Sequence, residues 1–425
     1  MYPLNRGDSP QRDHDRRNFV INIVEGSLFI SGATFISLQT VLPTMVNSLG
    51  GGNLAVGALG VIAWGGLFLP QVFSARYVET FQWKKPWTLR LGFVQRILVA
   101  VAALLIFIFG ESDPSIALSG FLVLYAVMHL VLGTVTPAWF DLVAKVTPVT
   151  KRGRLAGFRS SLGGVIALGC GVALTWVLSH YPAPLNYTIA FSLAFALQAL
   201  SLVVQSGLVE AEPSKTVAKV PVLEFLRQVP SVFKENKGFR NFIVAMMFLV
   251  LATISVTFFT VYALEAFQAD ASTAGIFTMV MVGGQVMSAP AVGYLGDRYG
   301  NRASLITAAS ALLCATICAL LAPTLEWFYL VFAFLGVNLG SELMARYNIA
   351  MEFAPELRRA TYFGLMNAML APFYAVSLLG GWLSDLFGYR TVFHIGGACS
   401  LAGILLLVYF VKEPRSANRE AAHEG

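Results

Sequence analysis

Long apolar runs dominate this sequence and restrict what it can fold into. Twelve mostly apolar stretches are separated by short polar breaks, and each has about 20 or more residues, the length that crosses a ~30 Å hydrocarbon core. Backbone groups in lipid have no water to bond, so runs of this length should be α-helices rather than barrel strands of ~10 residues. The predicted spans are 19–46, 54–76, 88–109, 115–143, 155–179, 187–209, 240–267, 272–295, 303–321, 327–351, 361–384 and 391–411.

The overall composition agrees with a protein dissolved in lipid. Of 425 residues, 56% are hydrophobic and 12% are charged, with a mean hydropathy of +0.69. Soluble domains carry about 25% charged residues. We therefore expect an all-α, multi-pass membrane protein.

The basic residues are distributed unevenly between the breaks. If the N-terminus is inside and the spans alternate, only Arg390 falls in an outward loop, where it joins several acidic residues. This pattern predicts a cytoplasmic (inner) membrane protein with both termini in the cytoplasm, and it explains the net charge of +6 without nucleic acid as a partner. The basic residues on the inward side are Arg12, Arg16, Arg17, Lys84, Lys85, Lys151, Arg152, Arg154, Lys234, Lys237, Arg298, Arg302, Arg358, Arg359, Lys412 and Arg415.

A ten-residue segment occurs twice in the second half of the chain. Residues 293–302 and 381–390 both read G-x-L-x-D-x-x-G-x-R, and the two copies are three spans apart. Under alternating topology they lie on opposite faces of the membrane. An inverted repeat of three helices is therefore predicted, which is how many secondary transporters are built.

The longest polar break divides the spans six and six. We predict a cytoplasmic tail at 1–18, a six-helix bundle at 19–209, a linker at 210–238, a second bundle at 239–411 and a cytoplasmic tail at 412–425. Part of the linker, 221–234, mixes apolar and charged residues and would either lie on the inner membrane surface or form an ordinary loop.

Together, these features resemble the major facilitator superfamily. The resemblance rests on twelve spans divided six and six and on the loop signature at Gly293, Asp297, Arg298, Gly300 and Arg302. It implies two six-helix bundles with nested inverted repeats that rock about a central cavity. The equivalent loop of the first half, 73–86, keeps its basic residues but lacks the G-x-x-x-D part.

The resemblance also suggests a role for the inward copy of the repeat. It implies that Asp297 lies near the start of span five, where Arg154 and Arg159 stand, and that it latches the two halves in one state. A purely structural tight turn is the alternative. The outward copy has Leu386 in place of the signature arginine, and we expect it to be a surviving structural turn.

Ionisable residues inside the spans are functional candidates, because a charge near the bilayer centre costs about 2.5–3.5 kcal/mol on insertion scales. The candidates for transport or proton coupling are Glu25, Arg96, Asp141, Glu342 and Arg346. By family resemblance, spans one, four, seven and ten line the cavity, and all but Arg96 are on such spans. Glu25 is the best single candidate for a protonatable carrier. The alternative is an interfacial carboxylate that is hydrated or paired with a basic residue.

The other candidates each have a structural alternative. Glu342 and Arg346 are four residues apart on one helix face and either contact substrate or neutralise each other. Arg96 should point into the first bundle, as a partner for Glu25 or Asp141 or towards an anionic substrate. Asp141 is close enough to the cytoplasm to be a gate or a loop anchor.

No enzymatic or nucleotide-binding motif is present in the sequence: G-x4-G-K-[ST], H-E-x-x-H and G-x-S-x-G are all missing. We predict no enzyme activity, no cofactor and no metal. The predicted function is secondary active transport of a small solute by alternating access, coupled to protons or another ion, by a monomer in the lipid bilayer. A non-transporting membrane sensor on the same fold is the alternative, and neither substrate nor direction follows from the sequence.

Overall fold

A computed structural model describes residues 10–214, 234, 236–354 and 359–413. Within these residues the chain is helical with no strand, which confirms the predicted all-α membrane fold. Most of the predicted linker, including nearly all of 221–234, lies outside the described residues. So do Arg358, Arg415 and the outer parts of both predicted tails.

The described part of the first half contains seven α-helices. Helices α1 and α2 together form the first predicted span, and each later helix forms one span. They are α1 (Pro10–Thr34), α2 (Val41–Ser48), α3 (Asn53–Val78), α4 (Lys85–Phe109), α5 (Pro114–Val146), α6 (Arg152–His180) and α7 (Leu185–Ser206).

The described part of the second half contains eight α-helices, because its first and fifth spans are interrupted. They are α8 (Lys237–Ala252), α9 (Phe258–Ala266), α10 (Thr273–Tyr299), α11 (Asn301–Leu321), α12 (Trp327–Phe353), α13 (Arg359–Leu370), α14 (Val376–Phe387) and α15 (Tyr389–Phe410). Among the described residues, 11 helical segments are long and apolar enough to cross a membrane. With α1, whose first turns are charged, they agree with the twelve predicted spans.

Three of the spans are not the continuous helices that their apolar runs predict. The first is interrupted by turns between α1 and α2, the seventh by a short 3-10 turn at Thr253–Ser255, and the eleventh by another at Ala371–Ala375. Pro372 accounts for the last, because proline lacks the N–H that a continuing helix needs. Hydropathy alone does not detect these breaks, since the stretches on both sides of each break are long and apolar.

The helices pack as two bundles, α1–α7 and α8–α15, which contact each other mainly through two pairs, α3 with α14 and α6 with α10. Glycines allow close approach in both pairs: Gly57 of α3 faces the Ser377 carbonyl, and Gly275 of α10 faces Thr175 of α6. We call the face with the start of α1 and the end of α15 the proximal face, and the opposite one the distal face.

Candidate functional site

A cavity lies between the two bundles and contains about 970 Å³ of space, part of it open to solvent. Its first-half wall comes from the end of span one and from α3, including Gln39 and Trp64. The second half contributes α8, α11, α12 and the interrupted eleventh span. Most of the wall is apolar, and its charged residues are Glu342 and Arg346 of α12.

The two charged residues of the cavity pair with each other. Arg346 Nη1 lies 3.4 Å from Glu342 Oε1, one helical turn away. The arginine is 1% exposed, and its Nη1 also donates a 2.9 Å hydrogen bond to the Tyr374 hydroxyl. Its guanidinium carbon lies 5.7 Å from the ring centre of Phe68 and 5.6 Å from that of Tyr347. The carboxylate is therefore the more accessible charge, because 24% of the Glu342 side chain is exposed.

An aromatic cluster borders this pair and bridges the two halves. The rings of Trp64 and Tyr374 stack with centres 5.5 Å apart, and Trp64 also stacks on Phe68 at 5.8 Å. Two of these rings belong to α3 and the third to the second half. The cluster thus brings aromatic rings of both halves together beside the cavity. Tyr374 gave no signal in the sequence.

Glu25 lies apart from this cavity, inside the first bundle. It is 2% exposed, and its Oε2 is 3.0 Å from Nη1 of Arg159 on α6, while the Ser201 hydroxyl donates to Oε1 at 3.4 Å. Arg159 also sits over the ring of Trp139 at 4.4 Å. Arg159 therefore binds Glu25 inside the first bundle, and the approach of Asp297 to the start of span five stays a prediction.

Arg96 also points into the first bundle rather than into the cavity. Its Nε donates to the Gln198 carbonyl and its Nη1 to the Gly92 carbonyl, both at 3.2 Å. The guanidinium lies over the Phe29 ring at 5.1 Å and interacts electrostatically with Glu25. These contacts tie α4 to α7 and α1.

Asp141 lies at the proximal end of α5, where half of its side chain is exposed. It is 3.2 Å from Nζ of the buried Lys84, whose backbone N–H donates to Glu210. Lys145 also binds Glu210, at 2.8 Å. The cluster connects the loop before α4 with the chain just after α7, a geometry that corresponds to a loop anchor.

The proximal copy of the repeat has few contacts at its aspartate. Asp297 is exposed and forms no ion pair or hydrogen bond with another described residue. Arg298 Nη1 donates to the Tyr294 hydroxyl at 3.0 Å. The turn at Gly300 has φ +91°, which favours glycine. Gly293 has open space around it.

The last arginine of the proximal copy, Arg302, bonds to a neighbouring helix, whereas Asp297 is exposed. Arg302 donates to the Leu407 carbonyl at 2.9 Å and to the Val408 carbonyl, both at the end of α15, while its backbone N–H donates to Glu413 at 3.1 Å. It therefore caps the free carbonyls of a neighbouring helix.

The distal copy, by contrast, connects the two halves. Asn53 at the start of α3 donates a 2.9 Å hydrogen bond to Asp385, and its Oδ1 lies 2.8 Å from the Tyr389 hydroxyl. That hydroxyl is also 3.0 Å from the Glu265 carboxylate, which accepts from Asn47 at 3.4 Å. This copy therefore forms the expected turn and also bonds to the first half. The repeat was visible in the sequence, but its partner Asn53 was not.

Two further hydrogen bonds cross between the halves next to this group. The Thr40 and Thr278 hydroxyls lie 2.5 Å apart, and the Thr260 hydroxyl donates to the Gln39 carbonyl at 2.6 Å. Within the described part of the chain, the hydrogen bonds that join the halves thus lie on the distal side of the cavity.

Comparison with known proteins identifies the same architecture. The family described as Major Facilitator Superfamily matches residues 241–425. A multi-drug resistance efflux pump, PmrA of Streptococcus pneumoniae, is 27% identical over 146 residues, which are 34% of this chain and 37% of the pump. The chain thus matches little more than a third of that relative's length.

Solved structures match over nearly the whole chain. A crystal structure of a variant of the nucleoside transporter NupG has a TM-score of 0.69 at 13% identity, covering 94% of this chain and 100% of that one. A D-xylose-proton symporter has a TM-score of 0.66 at 16% identity, covering 94% and 98%. At these identities the likeness establishes the fold.

Proposed function

We propose that this chain, which belongs to the major facilitator superfamily, carries a small solute across a membrane by alternating access with protons as the coupling ion. The observation that carries the proposal is the cavity between the two bundles, with a charged pair on α12 and aromatic rings from both halves. A solute bound there touches both bundles. Rocking of one bundle against the other would then change the face to which the solute is exposed.

The distribution of contacts between the halves supports an assignment of the conformation. Hydrogen bonds hold the distal ends together, whereas Asp297 at the proximal face is exposed. We assign this arrangement as open towards the proximal face. The excess of basic residues on that face makes it cytoplasmic under the positive-inside rule, so the conformation is inward-open and both termini are cytoplasmic.

The decisive experiment is solute flux in proteoliposomes. The purified chain is reconstituted and a panel of neutral, cationic and anionic solutes is tested with an imposed pH gradient of either direction and with none. We expect flux of at least one class of solute that a pH gradient accelerates. Saturable binding with no flux of any solute would instead support the sensor alternative. PmrA is named as an efflux pump, so both gradient directions are needed.

Proton coupling is assigned to Glu25. Its partner Arg159 is on α6, a helix that packs against α10 of the other half, so rocking of the halves would alter this ion pair. A carboxylate that loses its cationic partner inside a protein takes up a proton more readily. We therefore propose that Glu25 binds a proton in one state and releases it in the other.

Replacement of Glu25 by Gln tests this assignment. We expect the variant to keep solute exchange at equal pH but to lose the acceleration by a pH gradient, because glutamine cannot release a proton. Glu326→Gln, an exposed carboxylate at the start of α12, is the matched control and should behave like the unmodified chain. Normal gradient-driven flux in Glu25→Gln would exclude Glu25 as the coupling group.

A further inference from the structure

The cavity offers a solute one accessible charge, and that charge is negative. Glu342 has 24% of its side chain exposed, whereas its partner Arg346 is covered by two aromatic rings and by the Tyr374 hydroxyl. Arg346 Nη1 lies 3.4 Å from Oε1 of Glu342, a distance that leaves the carboxylate further hydrogen-bonding capacity. An anionic solute would meet this carboxylate before it could reach the guanidinium.

Most polar side chains around the cavity already bond within their own half. The Thr253 hydroxyl donates to the Val250 carbonyl at 2.7 Å, the Ser377 hydroxyl to the Tyr374 carbonyl at 3.1 Å, and the Asn338 amide to the Ala308 carbonyl at 2.9 Å. A polyol such as a sugar needs several free donors and acceptors to replace its water. This wall matches a polyol poorly.

The rest of the wall is apolar or aromatic. Leu38, Leu249, Leu312, Leu339 and Leu343 line it together with the rings of Trp64 and Tyr374. Aromatic faces bind flat apolar groups and attract a cation held above the ring. A carboxylate next to such faces is the combination that recognises an amine with an aromatic or flat apolar body.

We propose, on the basis of the transport function proposed above, that the substrates are organic amines of this kind. The protonated nitrogen binds the Glu342 carboxylate and the apolar body packs against Trp64 and Tyr374. Arg346 holds the carboxylate in place through their ion pair and does not contact the substrate. When the halves rock, Trp64 and Tyr374 separate because they belong to different bundles, so the binding surface for the apolar body is disrupted as the site changes sides.

Three matched probes of one shape test the substrate class. They are 1-naphthylmethylamine, which is a cation near neutral pH, 1-naphthylmethanol, which is neutral, and 1-naphthoate, which is an anion. Binding to the purified full chain is measured by isothermal calorimetry, and uptake is measured in proteoliposomes. We expect the amine to bind about tenfold or more tightly than the alcohol and the anion to bind more weakly still. Equal binding of all three, or preference for the anion, would overturn the proposal.

Substitutions at the site locate the binding group. Glu342→Gln should weaken amine binding about tenfold, because a charge-assisted contact is lost, and should leave binding of the alcohol unchanged. Glu342→Asp should retain part of the amine preference, and Trp64→Leu should weaken the binding of both amine and alcohol. Glu326→Gln, on the same helix but exposed at its distal end, is the control with no expected change.

A double variant covers the case in which Glu342→Gln leaves Arg346 unpaired and does not fold. Glu342→Gln with Arg346→Met removes both charges together, and its folding is checked by circular dichroism and gel filtration. Amine binding at unmodified strength in this folded variant would overturn the proposal. Flux of sugars or carboxylates with no amine flux would overturn the substrate class but leave transport intact, whereas no flux of any solute would overturn transport itself.

Discussion

The two copies of the ten-residue repeat, at 293–302 and 381–390, have the same local structure but different contacts across the molecule. Each has a glycine with positive φ between two helices, Gly300 at +91° and Gly388 at +80°. Asp385 binds Asn53 of the other half, whereas Asp297 is exposed. The repeat therefore specifies a turn, and in this structure the distal copy is the one that bonds to the first half.

The proposed alternating access gives the distal contact a counterpart at the proximal face, which would form in the opposite conformation. Gly381 packs against the Asn53 backbone at the start of α3, while Gly293 faces open space, as do Gly153 and Gly157 at the start of α6. The nested inverted repeats implied by the family resemblance make α6 the counterpart of α3 in the first half. We propose that the opposite conformation brings Gly293 and Asp297 against the start of α6, where Arg154 is exposed.

The largest expected effect comes from a side chain at the distal glycine. Gly381→Val places a branched side chain against the Asn53 carbonyl, and overpacking of this kind costs about 1–3 kcal/mol. We expect the distal ends to separate and transport to fall strongly. Spin labels at Ser48→Cys and Asp270→Cys, in a background without the four native cysteines, would report the separation by double electron–electron resonance.

Gly293→Val is the matched control for that substitution, because Gly293 has open space in this conformation. It should leave the distal distance distribution unchanged or shift it further towards the closed form, since it obstructs only the opposite state. Equal opening of the distal face by both valines would contradict the comparison between the copies.

A smaller effect is expected at the last arginine of each copy. Arg302 bonds two carbonyls at the end of α15, whereas Arg390 donates to the Leu320 carbonyl at the end of α11 at 3.1 Å. We expect Arg302→Met to reduce the free energy of unfolding by about 2 kcal/mol and Arg390→Met by about 1 kcal/mol, in proportion to the bonds lost. Thermal unfolding of both variants in the same detergent checks the order. A larger loss with Arg390→Met would show that these bonds do not determine stability.

The smallest effects are expected at the two aspartates, because both lie near solvent. Asp385→Asn should weaken the hydrogen bond to Asn53 by about 1 kcal/mol and shift the population several-fold towards distal opening. Asp297→Asn should not disturb this conformation but should disfavour the opposite one. Labelling of a cysteine at Gly153, which is exposed and leaves Arg154 in place, by a maleimide measures proximal accessibility. If Asp297→Asn changes neither this labelling nor the transport rate, the proposed proximal contact is wrong.

Much of the fold could be predicted from the sequence, because lipid imposes a strong local rule. Apolar length predicted the spans, and the repeat predicted their inverted arrangement. The spacing of Glu342 and Arg346 predicted that they share a helix face. Each of these features depends on residues that are near one another in the chain or on a solvent that acts on every residue alike.

The contacts between distant helices could not be predicted in the same way. The partner of Asp385 is 332 positions earlier in the chain, and Arg159 binds Glu25 rather than approaching Asp297. Under the proposed alternating access, such choices also depend on which face is closed. The interrupted spans were also missed, because an apolar residue in a turn has the same hydropathy as one in a helix.

The arginines of the repeat have a mechanical consequence for the second bundle. The second half consists of two three-span units, α8–α11 and α12–α15. Arg302, at the start of α11, bonds to the end of α15, and Arg390, at the start of α15, bonds to the end of α11. Each unit thus restrains its partner at the opposite membrane face. Sliding one unit past the other would break a bond at each face. We therefore expect the second bundle to rotate as a rigid body about its boundary with the first half.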